Sequence, residues 1–415
     1  MAYGQTRDDE QLSQLEGEIG NFISRYSNNY SATNRKTLIV FPGGMGSRLL
    51  RASTTVSQGS PYFYDTVWLD CSILFGAGLY LQMQGDIDYN KQIIVPNGPI
   101  DFMTLIPYDG FIQWCDANEI DYFIFGWDWR RDMNLTVEFF LSRFLPCFRQ
   151  RVQNACGADP LDDFSLVGHS MGGLIVKLIM NRSNSSYVQL VKQAVTVATP
   201  FYGYGGQLPR YFMGDPDLNG LYGKRQLTRI ISSFAGCYAL LFLDEATYTR
   251  DRAGLEADPN YPLAEYPILD VATRAIADPY NPTAMPGKVR YPKNYGFDML
   301  ALNGGKLVYQ DIAAPLDSAI NGKFFNFRGV QVKNGAVVND TVCNQTWDWI
   351  KPNFDPQTVD SPITDYLGPG DGTLPAWSTR SVYTPGANVR TLHGNIDHMS
   401  MMSDSLVLNE LVKVI

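Results

Sequence analysis

The residues that decide the fold of this chain are Phe164–Met180, which read FSLVGHSMGGLIVKLIM. The apolar run Phe164–Val167 predicts a buried strand, and the apolar run after the glycines predicts a helix. Ser170 lies at the junction, with Gly168 and Gly172 two residues to either side. A serine at such a junction needs these glycines, because a larger side chain would collide with the strand or the helix. The pattern predicts a nucleophile elbow, and an ordinary glycine-rich turn is the alternative.

Further strands and helices are predicted on both sides of this junction. The other apolar runs that predict strands are Thr37–Phe41, Tyr122–Phe125, Ala194–Ala198, Phe324–Phe327 and Val389–Leu392. Helical spacing of apolar residues predicts helices over residues 9–27, Ile112–Asn118, Val137–Val152, Leu174–Asn181 and Ser405–Val414. Strands that alternate with helices predict an α/β fold, with a mainly parallel sheet covered by helices on both faces. Reactive groups then gather at the carboxyl ends of the strands.

The same patterns divide the chain into a core and several additions. We expect an N-terminal extension with an amphipathic helix over residues 1–34 and a core over residues 35–202 and 321–415. An insertion rich in aromatic residues spans 48–110, and a cap region spans 203–320. The N-terminal helix is expected to pack on the core, and a lid or a dimer contact is the alternative.

Composition excludes several classes of partner. The chain has 415 residues, of which 45% are apolar and 13% aromatic, and a formal net charge of −9. That charge argues against nucleic acid and against tight docking on anionic membranes, but leaves a transient contact with a lipid surface open. No apolar run approaches the roughly 20 residues that span a bilayer. Six cysteines are scattered without C-x-x-C pairs, which predicts free thiols rather than a metal site. Residues 1–10 show no signal peptide, so we expect a cytoplasmic protein, although a mature secreted chain would look the same.

A serine nucleophile needs a base, and histidine is the usual one near neutral pH. The chain contains three histidines, His169, His393 and His398. His169 adjoins Ser170 inside the elbow, where its side chain is expected to point away from the serine. The other two follow the serine in the order typical of α/β-hydrolases, on or after the last predicted strand. His398 lies further out on the loop and is the first choice, with His393 as the alternative.

The base needs a carboxylate that fixes its tautomer, placed between the serine and the histidine in the chain. Asp371 lies between two glycines in a loop region over residues 351–386, where the backbone can turn sharply and present a short acid. Asp360 and Asp365 are the alternatives. Alternatively, residues 371–372 form an ordinary Asp-Gly turn, and Asp371 has no catalytic role.

Two backbone N–H groups must bind the oxyanion of an acyl-transfer intermediate. One is expected from Met171, which follows the nucleophile, and the other from the glycine-rich turn Pro42–Gly46, where Gly44 is our choice. A phosphate cradle is the competing explanation of this turn, but neither G-K-[ST] nor G-x-G-x-x-G follows it. We expect no metal and no cofactor.

Several separated motifs resemble the lecithin:cholesterol acyltransferase group of α/β-hydrolases, which includes lysosomal phospholipase A2. They are Phe41–Leu49, Val67–Asp70, Trp127–Arg130, Gly168–Gly173, Ala198–Pro200, Gly370–Thr373 and His398–Met401. The residues to which the resemblance gives catalytic roles are Ser170, Asp371 and His398 as the triad, and Gly44 and Met171 as the oxyanion hole. In Trp127–Arg130 we expect packed tryptophans and charges that hold loops, with a place beside an acyl pocket as the alternative. The paired lid cysteines of secreted members have no counterparts, and residues 203–320 match no motif of the group.

Three hypotheses for function follow. The first is a serine acyl hydrolase or acyltransferase that acts on a lipid-like ester through an acyl-enzyme, the aromatic insertions favouring an apolar acyl group. The second keeps the fold and predicts an amidase, esterase or tailoring acyltransferase that acts on a small metabolite. The third is a binding protein with a relic triad, which the presence of every required residue type in order disfavours.

Overall fold

A central sheet of parallel strands organises the protein, seen here in a computed structural model. The structure describes residues 3–28, 36–52, 64–68, 81–84, 87–88, 93–100, 108–207, 210, 224–261, 265–270, 273–281, 298–347 and 363–415. The strands are β1 Thr37–Phe41, β2 Ser47–Ala52, β3 Tyr64–Trp68, β4 Met83–Gln84, β5 Ile87–Asp88, β6 Ile94–Pro99, β7 Asp121–Ile124, β8 Phe164–His169, β9 Ala194–Val197, β10 Ile268–Asp270, β11 Phe324–Lys333, β12 Ala336–Val337, β13 Thr341–Trp347, β14 Ile363–Gly368 and β15 Val389–Gly394. The α-helices are Tyr3–Asn28, Asp109–Ala117, Met133–Phe139, Leu145–Cys156, Met171–Met180, Ser186–Leu190, Lys224–Ile231, Glu245–Glu256, Met299–Ile312, Ser318–Asn321 and Ser405–Val414.

The parallel strands lie in the order β15-β11-β9-β8-β1-β7, with β12 antiparallel to the end of β11. The chain runs from β1 to β7 on one side, returns to β8 on the other side of β1, and then continues outward. The order therefore reverses between β1 and β8, where α/β proteins bind ligands at the carboxyl ends of the strands. Phe41 at the end of β1 pairs with Gly168 near the end of β8, so the turn Pro42–Gly46 and the serine junction meet at this point.

Helices cover both faces of this sheet, which confirms the predicted α/β fold. The side chains of β1 alternate between two cores: Ile39 and Phe41 face one, and Leu38 and Val40 face the other. The N-terminal helix covers the first core, and helix Ser405–Val414 covers the second. This arrangement, with a serine turn after β8, is that of an α/β-hydrolase.

The N-terminal helix packs directly on the core. Its bounds, Tyr3–Asn28, extend the predicted range of 9–27 at both ends. Phe22, in its C-terminal part, packs edge-on against Phe123 of β7, with 6.3 Å between ring centroids, and against Phe148, with 4.9 Å. Aromatic pairs at these distances add to the free energy gained by burying their area.

The prediction of one helix over Val137–Val152 is wrong in its bounds and its continuity. The structure has three segments there: Met133–Phe139, a π-helical turn Phe140–Phe144, and Leu145–Cys156. The first begins early because the Asp132 side chain accepts the N–H of Asn134 at 2.8 Å and caps it. The interruption precedes Pro146, whose ring has no N–H to give and crowds the preceding turn.

The loop predicted over residues 351–386 contains a strand that sequence analysis missed. β14 pairs antiparallel with β13, while residues 351–362 lie outside the described part of the chain. Most side chains of β14 are exposed, so its sequence has no apolar alternation to signal a strand. Its partner, rather than its own pattern, makes it extended.

The strands of the two predicted additions lie outside the central sheet. In the insertion over residues 48–110, β2, β3 and β6 make an antiparallel sheet. Other aromatic residues of this insertion, Tyr62, Phe63 and Phe75, lie outside the described residues. In the region 203–320, β10 pairs in parallel with β13, which joins this region to the later chain.

Candidate active site

Ser170 has a strained backbone at the entrance of helix Met171–Met180. Its φ is 53° and its ψ is −126°. Such a conformation costs a residue with a side chain about 1–3 kcal/mol and clusters at functional sites. The Ser170 N–H donates to the carbonyl of Val197 at 2.8 Å, which fixes the turn to the end of β9. The serine side chain is half-buried and therefore accessible from outside.

The glycines that flank the serine are required by close backbone contacts. A Cβ on Gly168 would lie 2.5 Å from the Cα of Gly173. A Cβ on Gly172 would lie 2.2 Å from the carbonyl oxygen of Phe41. Both distances are far below van der Waals contact, so the packing of the helix against β1 and β8 excludes any side chain here.

His398 lies between Ser170 and Asp371. Its Nε2 is 2.9 Å from Ser170 Oγ, and its Nδ1 is 2.7 Å from Asp371 Oδ2. A carboxylate only accepts hydrogen bonds, so Nδ1 carries the imidazole proton and Nε2 accepts from the serine hydroxyl. His398 is 4% exposed and Asp371 is 1% exposed. The three side chains form a buried hydrogen-bonded chain whose serine end is open to a substrate.

The Asp371 turn orients both oxygens of its carboxylate. Asp371 Oδ1 accepts the backbone N–H groups of Thr373, at 3.0 Å, and Leu374, at 2.7 Å. The second oxygen is thereby left to face the imidazole. The N–H of His398 donates to the carbonyl of Asp371 at 3.1 Å, so the acid and histidine loops are also joined through their backbones.

The pKa of His398 follows from burial and from its acidic partner. Burial lowers the pKa of an imidazole, because it disfavours the charged form. The charge of Asp371 and the hydrogen bond to it outweigh that effect and raise the pKa of His398 above its ordinary 6.5, with a smaller contribution from Asp397. The ring is therefore a stronger base than a free imidazole.

The alternatives considered for the base and the acid lie elsewhere. His393 is exposed on β15 and pairs with Val330 of β11. Asp365 lies on β14, where its Oδ1 accepts from the side-chain amide of Gln345 at 2.7 Å. Asp360 lies outside the described residues. Within the described part of the chain, Ser170 is thus hydrogen-bonded to His398 and not to His393.

The two predicted oxyanion donors lie side by side. A Cβ on Gly44 would be 2.9 Å from Met171 Sδ, so the turn after β1 rests against the first residue of the helix. Within the described part of the chain, neither the Gly44 nor the Met171 N–H donates a hydrogen bond to another backbone or side-chain group. The amides at a helix N-terminus have no intrahelical acceptor and carry partial positive charge. Both groups are available to an anionic oxygen.

Two residues behind the serine were not predicted to have a role. The His169 side chain bonds neither to Ser170 nor to Asp371 among the described residues; its Nε2 lies 3.0 Å from the carbonyl oxygen of His398. Its Nδ1 lies 3.2 Å from the hydroxyl of Tyr108, which also accepts the N–H of Gly43 at 2.9 Å. Tyr108 carries no sequence signal, because its contacts are with residues 65 and 61 positions away.

The segment Trp127–Arg130 holds loops together. The indole of Trp127 donates to the carbonyl of Pro42 at 2.9 Å, which anchors the turn after β1. The ring of Trp129 packs against Trp68, with 5.4 Å between centroids. These contacts match the expectation of packed tryptophans.

The charged residues of this segment take part in a buried ring of ion pairs. Arg130 donates to the carboxylates of Asp88, at 2.8 Å, and Asp128, at 2.7 Å. Arg7 of the N-terminal helix donates to the same two carboxylates. The side chains are at most 4% exposed. The ring joins the N-terminal helix, the insertion and the loop after β7.

Two other kinds of site are absent from the described residues. They hold no group of three or more His, Cys, Asp and Glu side chains arranged for a metal ion. None of their helices has the length and hydrophobicity that a membrane span requires. The five cysteines among them are free thiols, and Cys71 lies outside the described residues.

No protein-family model and no curated protein matches this chain. Among solved structures, a chain in the crystal structure of the Tle4–Tli4 complex is similar, with a TM-score of 0.49 and 14% identity, covering 92% of this chain and 99% of that chain. The lipase BlEst2 of Bacillus licheniformis in its mature form gives a TM-score of 0.35 and 11% identity, covering 92% of this chain and 93% of that chain. Scores this low carry no conclusion about function. The fold is assigned from the strand order and the serine turn of the chain itself.

Proposed function

We propose that the protein is a serine acyl hydrolase or acyltransferase that acts on a lipid-like ester. The observation that carries this proposal is the hydrogen-bonded chain from the buried Asp371 carboxylate through His398 to the accessible hydroxyl of Ser170, at 2.7 and 2.9 Å. A serine alcohol is a weak nucleophile until a base within hydrogen-bond distance takes its proton, and a carboxylate behind the base stabilises the imidazolium that forms.

In the proposed reaction Ser170 Oγ attacks the ester carbonyl while its proton moves to Nε2 of His398. The negative charge on the former carbonyl oxygen is bound by the N–H groups of Gly44 and Met171. The C–O bond to the alcohol then breaks, and the alcohol leaves with the proton from His398. Water or a second alcohol gives a proton to His398, attacks the acyl-enzyme and releases Ser170 with its proton. Hydrolysis and transfer differ only in this second acceptor.

Aromatic side chains near the proposed oxyanion turn support an apolar acyl group. Trp68 donates its indole N–H to the carbonyl of Met45 at 2.8 Å, so it lies directly against the turn. Its ring packs on Trp129, whose other neighbour is Phe234 at 5.3 Å. All three rings are buried in the core, so the surroundings of this turn are apolar, as a pocket that binds an acyl group requires.

Labelling with a fluorophosphonate tests the nucleophile. The probe should form one adduct on the Ser170 peptide of the intact protein, and Ser170→Ala should abolish it. Ser24→Ala is the matched control, because Ser24 is exposed on the N-terminal helix and its hydroxyl donates only to the carbonyl of Gly20. No adduct on folded protein, or an adduct that persists in Ser170→Ala, would overturn the proposal.

A series of p-nitrophenyl esters of rising chain length tests the substrate class. The apolar surroundings predict that kcat/KM rises from the acetyl to the long-chain esters, since each buried CH2 contributes about 0.8 kcal/mol. A flat series, or turnover of the shortest esters only, would instead indicate a small metabolite ester.

A further inference from the structure

A buried hydrogen-bonded chain connects the turn after β1 to the backbone of the histidine loop. It starts at the N–H of Gly43, which donates to the Tyr108 hydroxyl at 2.9 Å. The Tyr108 hydroxyl lies 3.2 Å from Nδ1 of His169, and Nε2 of His169 lies 3.0 Å from the carbonyl of His398. Tyr108 is 2% exposed and His169 is 3% exposed, so water does not compete for these bonds.

The protons of this chain can be placed from its two ends. The Gly43 N–H can only donate, so the Tyr108 oxygen accepts there and its own proton is left for Nδ1 of His169. The carbonyl of His398 can only accept, so Nε2 of His169 must carry a proton. Both ends thus require the same neutral tautomer, with the proton on Nε2. The other neutral tautomer, with the proton on Nδ1, would leave the Tyr108 hydroxyl proton and the His398 carbonyl without hydrogen-bond partners in this chain, at a cost of about 1–3 kcal/mol each.

His169 keeps this neutral form under all working conditions. Burial, and then the neighbouring His398 ring, lower the pKa of His169 to about 3. Burial also raises the pKa of Tyr108 well above its ordinary value of 10.0, so the phenol keeps its proton. The chain of donors and acceptors therefore does not change with pH in the range where His398 titrates.

From this geometry we infer that Tyr108 and His169 are positioning residues for both halves of the proposed site. His169 fixes the carbonyl of His398, while the N–H of the same residue is held by Asp371 at 3.1 Å. The base is thereby fixed on both sides of its backbone. Tyr108 binds the N–H of Gly43, so that amide is not available to an oxyanion and the N–H of Gly44 is the donor that this turn would supply. This inference rests on the proposed function.

Variants at His169 separate hydrogen bonding from packing. His169→Phe keeps a ring but has no polar atom, whereas His169→Gln can return an amide N–H to the carbonyl of His398. His169→Phe should lower kcat by about 10- to 100-fold with KM changed less than about twofold, because a base displaced by about 1 Å loses rate without losing binding. His169→Gln should recover most of that loss. Equal kcat in His169→Phe and wild type would overturn the inference.

Tyr108→Phe tests the other end of the chain with the loss of one oxygen. It should lower kcat by about 3- to 10-fold, because the tautomer of His169 is then fixed from one side only. If His169→Phe fails to unfold cooperatively, this variant decides the question, since it removes only the hydroxyl oxygen from the core. A wild-type kcat in Tyr108→Phe would contradict the role of Tyr108.

A spectroscopic readout keeps the inference independent of turnover. In proton NMR spectra the Nδ1 proton of His398, hydrogen-bonded to Asp371, should give a downfield resonance that is present in the wild type and in His169→Gln and is lost or broadened in His169→Phe. Absence of labelling and turnover in the wild type would defeat the proposed function, yet this resonance would still test the positioning. An unchanged resonance in His169→Phe would count against it.

Discussion

At the residue scale, His398 combines two opposing effects in one side chain. It is buried, which favours the neutral ring, and it donates to a carboxylate at 2.7 Å, which favours the charged ring. The carboxylate prevails, so the pKa of His398 lies above 6.5. A higher pKa makes the imidazole a better proton acceptor, but only when the pH is high enough to leave it neutral.

The pH dependence of ester hydrolysis should report this balance. Below the pKa of His398 the ring is protonated and cannot accept the proton of Ser170, so kcat/KM should rise with pH through an apparent pKa above 6.5. Initial rates with a p-nitrophenyl ester from about pH 5 to about pH 9 would measure it. An acid limb centred well below 6.5 would contradict the assignment.

Asp371→Asn should remove the charge that raises this pKa. The acid limb should then move to lower pH, because burial alone lowers the pKa of the ring. The asparagine also offers an N–H toward Nδ1 and favours the wrong tautomer, so kcat should fall by about 10^3- to 10^4-fold. Asp365→Asn is the matched control, and it should change kcat by less than about twofold, because Asp365 lies on β14 and bonds Gln345 of β13.

At the scale of the elements, sequence patterns predict the helices and strands that a local apolar pattern specifies, and miss those without such a pattern. Strand β1 and helix Ser405–Val414 have the predicted bounds, because β1 is an apolar run buried on both faces of the sheet and the helix buries the apolar residues of one face. The π-helical turn Phe140–Phe144 lies just before Pro146, a signal that the helical spacing of apolar residues does not include, whereas strand β14 is extended because it pairs with β13. The same division holds for the site. Ser170, a histidine near the end of the sequence and an acid between the two in chain order were chosen for their chemistry, and the structure brings Ser170, Asp371 and His398 together. Tyr108 was missed, because it contacts residues that are far from it in the chain.

The tight junction of helix Met171–Met180 with β1 predicts a severe effect of one methyl group. In Gly172→Ala the new Cβ would meet the carbonyl oxygens of Phe41 and Pro42 at 2.2 and 2.4 Å, so the turn after β1 must shift. We expect at least a tenfold loss of kcat and a loss of about 1–3 kcal/mol in the free energy of unfolding. Urea denaturation and ester hydrolysis measure the two effects.

Gly17→Ala is the control for this change. A Cβ there meets nothing within 4 Å on the exposed side of the N-terminal helix. The substitution should raise the free energy of unfolding by up to about 1 kcal/mol, as alanine does within helices, and leave the activity unchanged. Similar behaviour of the two variants would show that the junction is looser than described.

At the scale of the whole molecule, the ring of Arg7, Asp88, Asp128 and Arg130 joins parts that are far apart in the chain. Arg7 and Asp128 are separated by 121 positions, and Arg7 and Asp88 by 81. Each carboxylate meets two guanidinium groups, so the ring is neutral as a unit. Such spacing has no sequence signature, and only the fold reveals the partners.

Breaking this ring should destabilise the protein strongly. Asp88→Asn leaves the two arginines with one carboxylate in a dry site, and we expect the free energy of unfolding to fall by about 3–5 kcal/mol. The exposed pair of Arg151 and Glu16 provides the comparison, because Glu16→Gln should cost only about 0–1 kcal/mol. If urea denaturation shows the same loss of free energy of unfolding in both variants, the buried ring does not stabilise the protein more than an exposed ion pair does.

The distance along the chain between Ser170 and His398 has a consequence during translation. The two residues are 228 positions apart. At roughly 5–20 residues per second, a ribosome needs roughly 10–45 s to reach the histidine after the serine has been made. Throughout that interval the nascent polypeptide holds an alcohol without its proton acceptor, so the proposed esterolytic activity can begin only after residue 398 has been made.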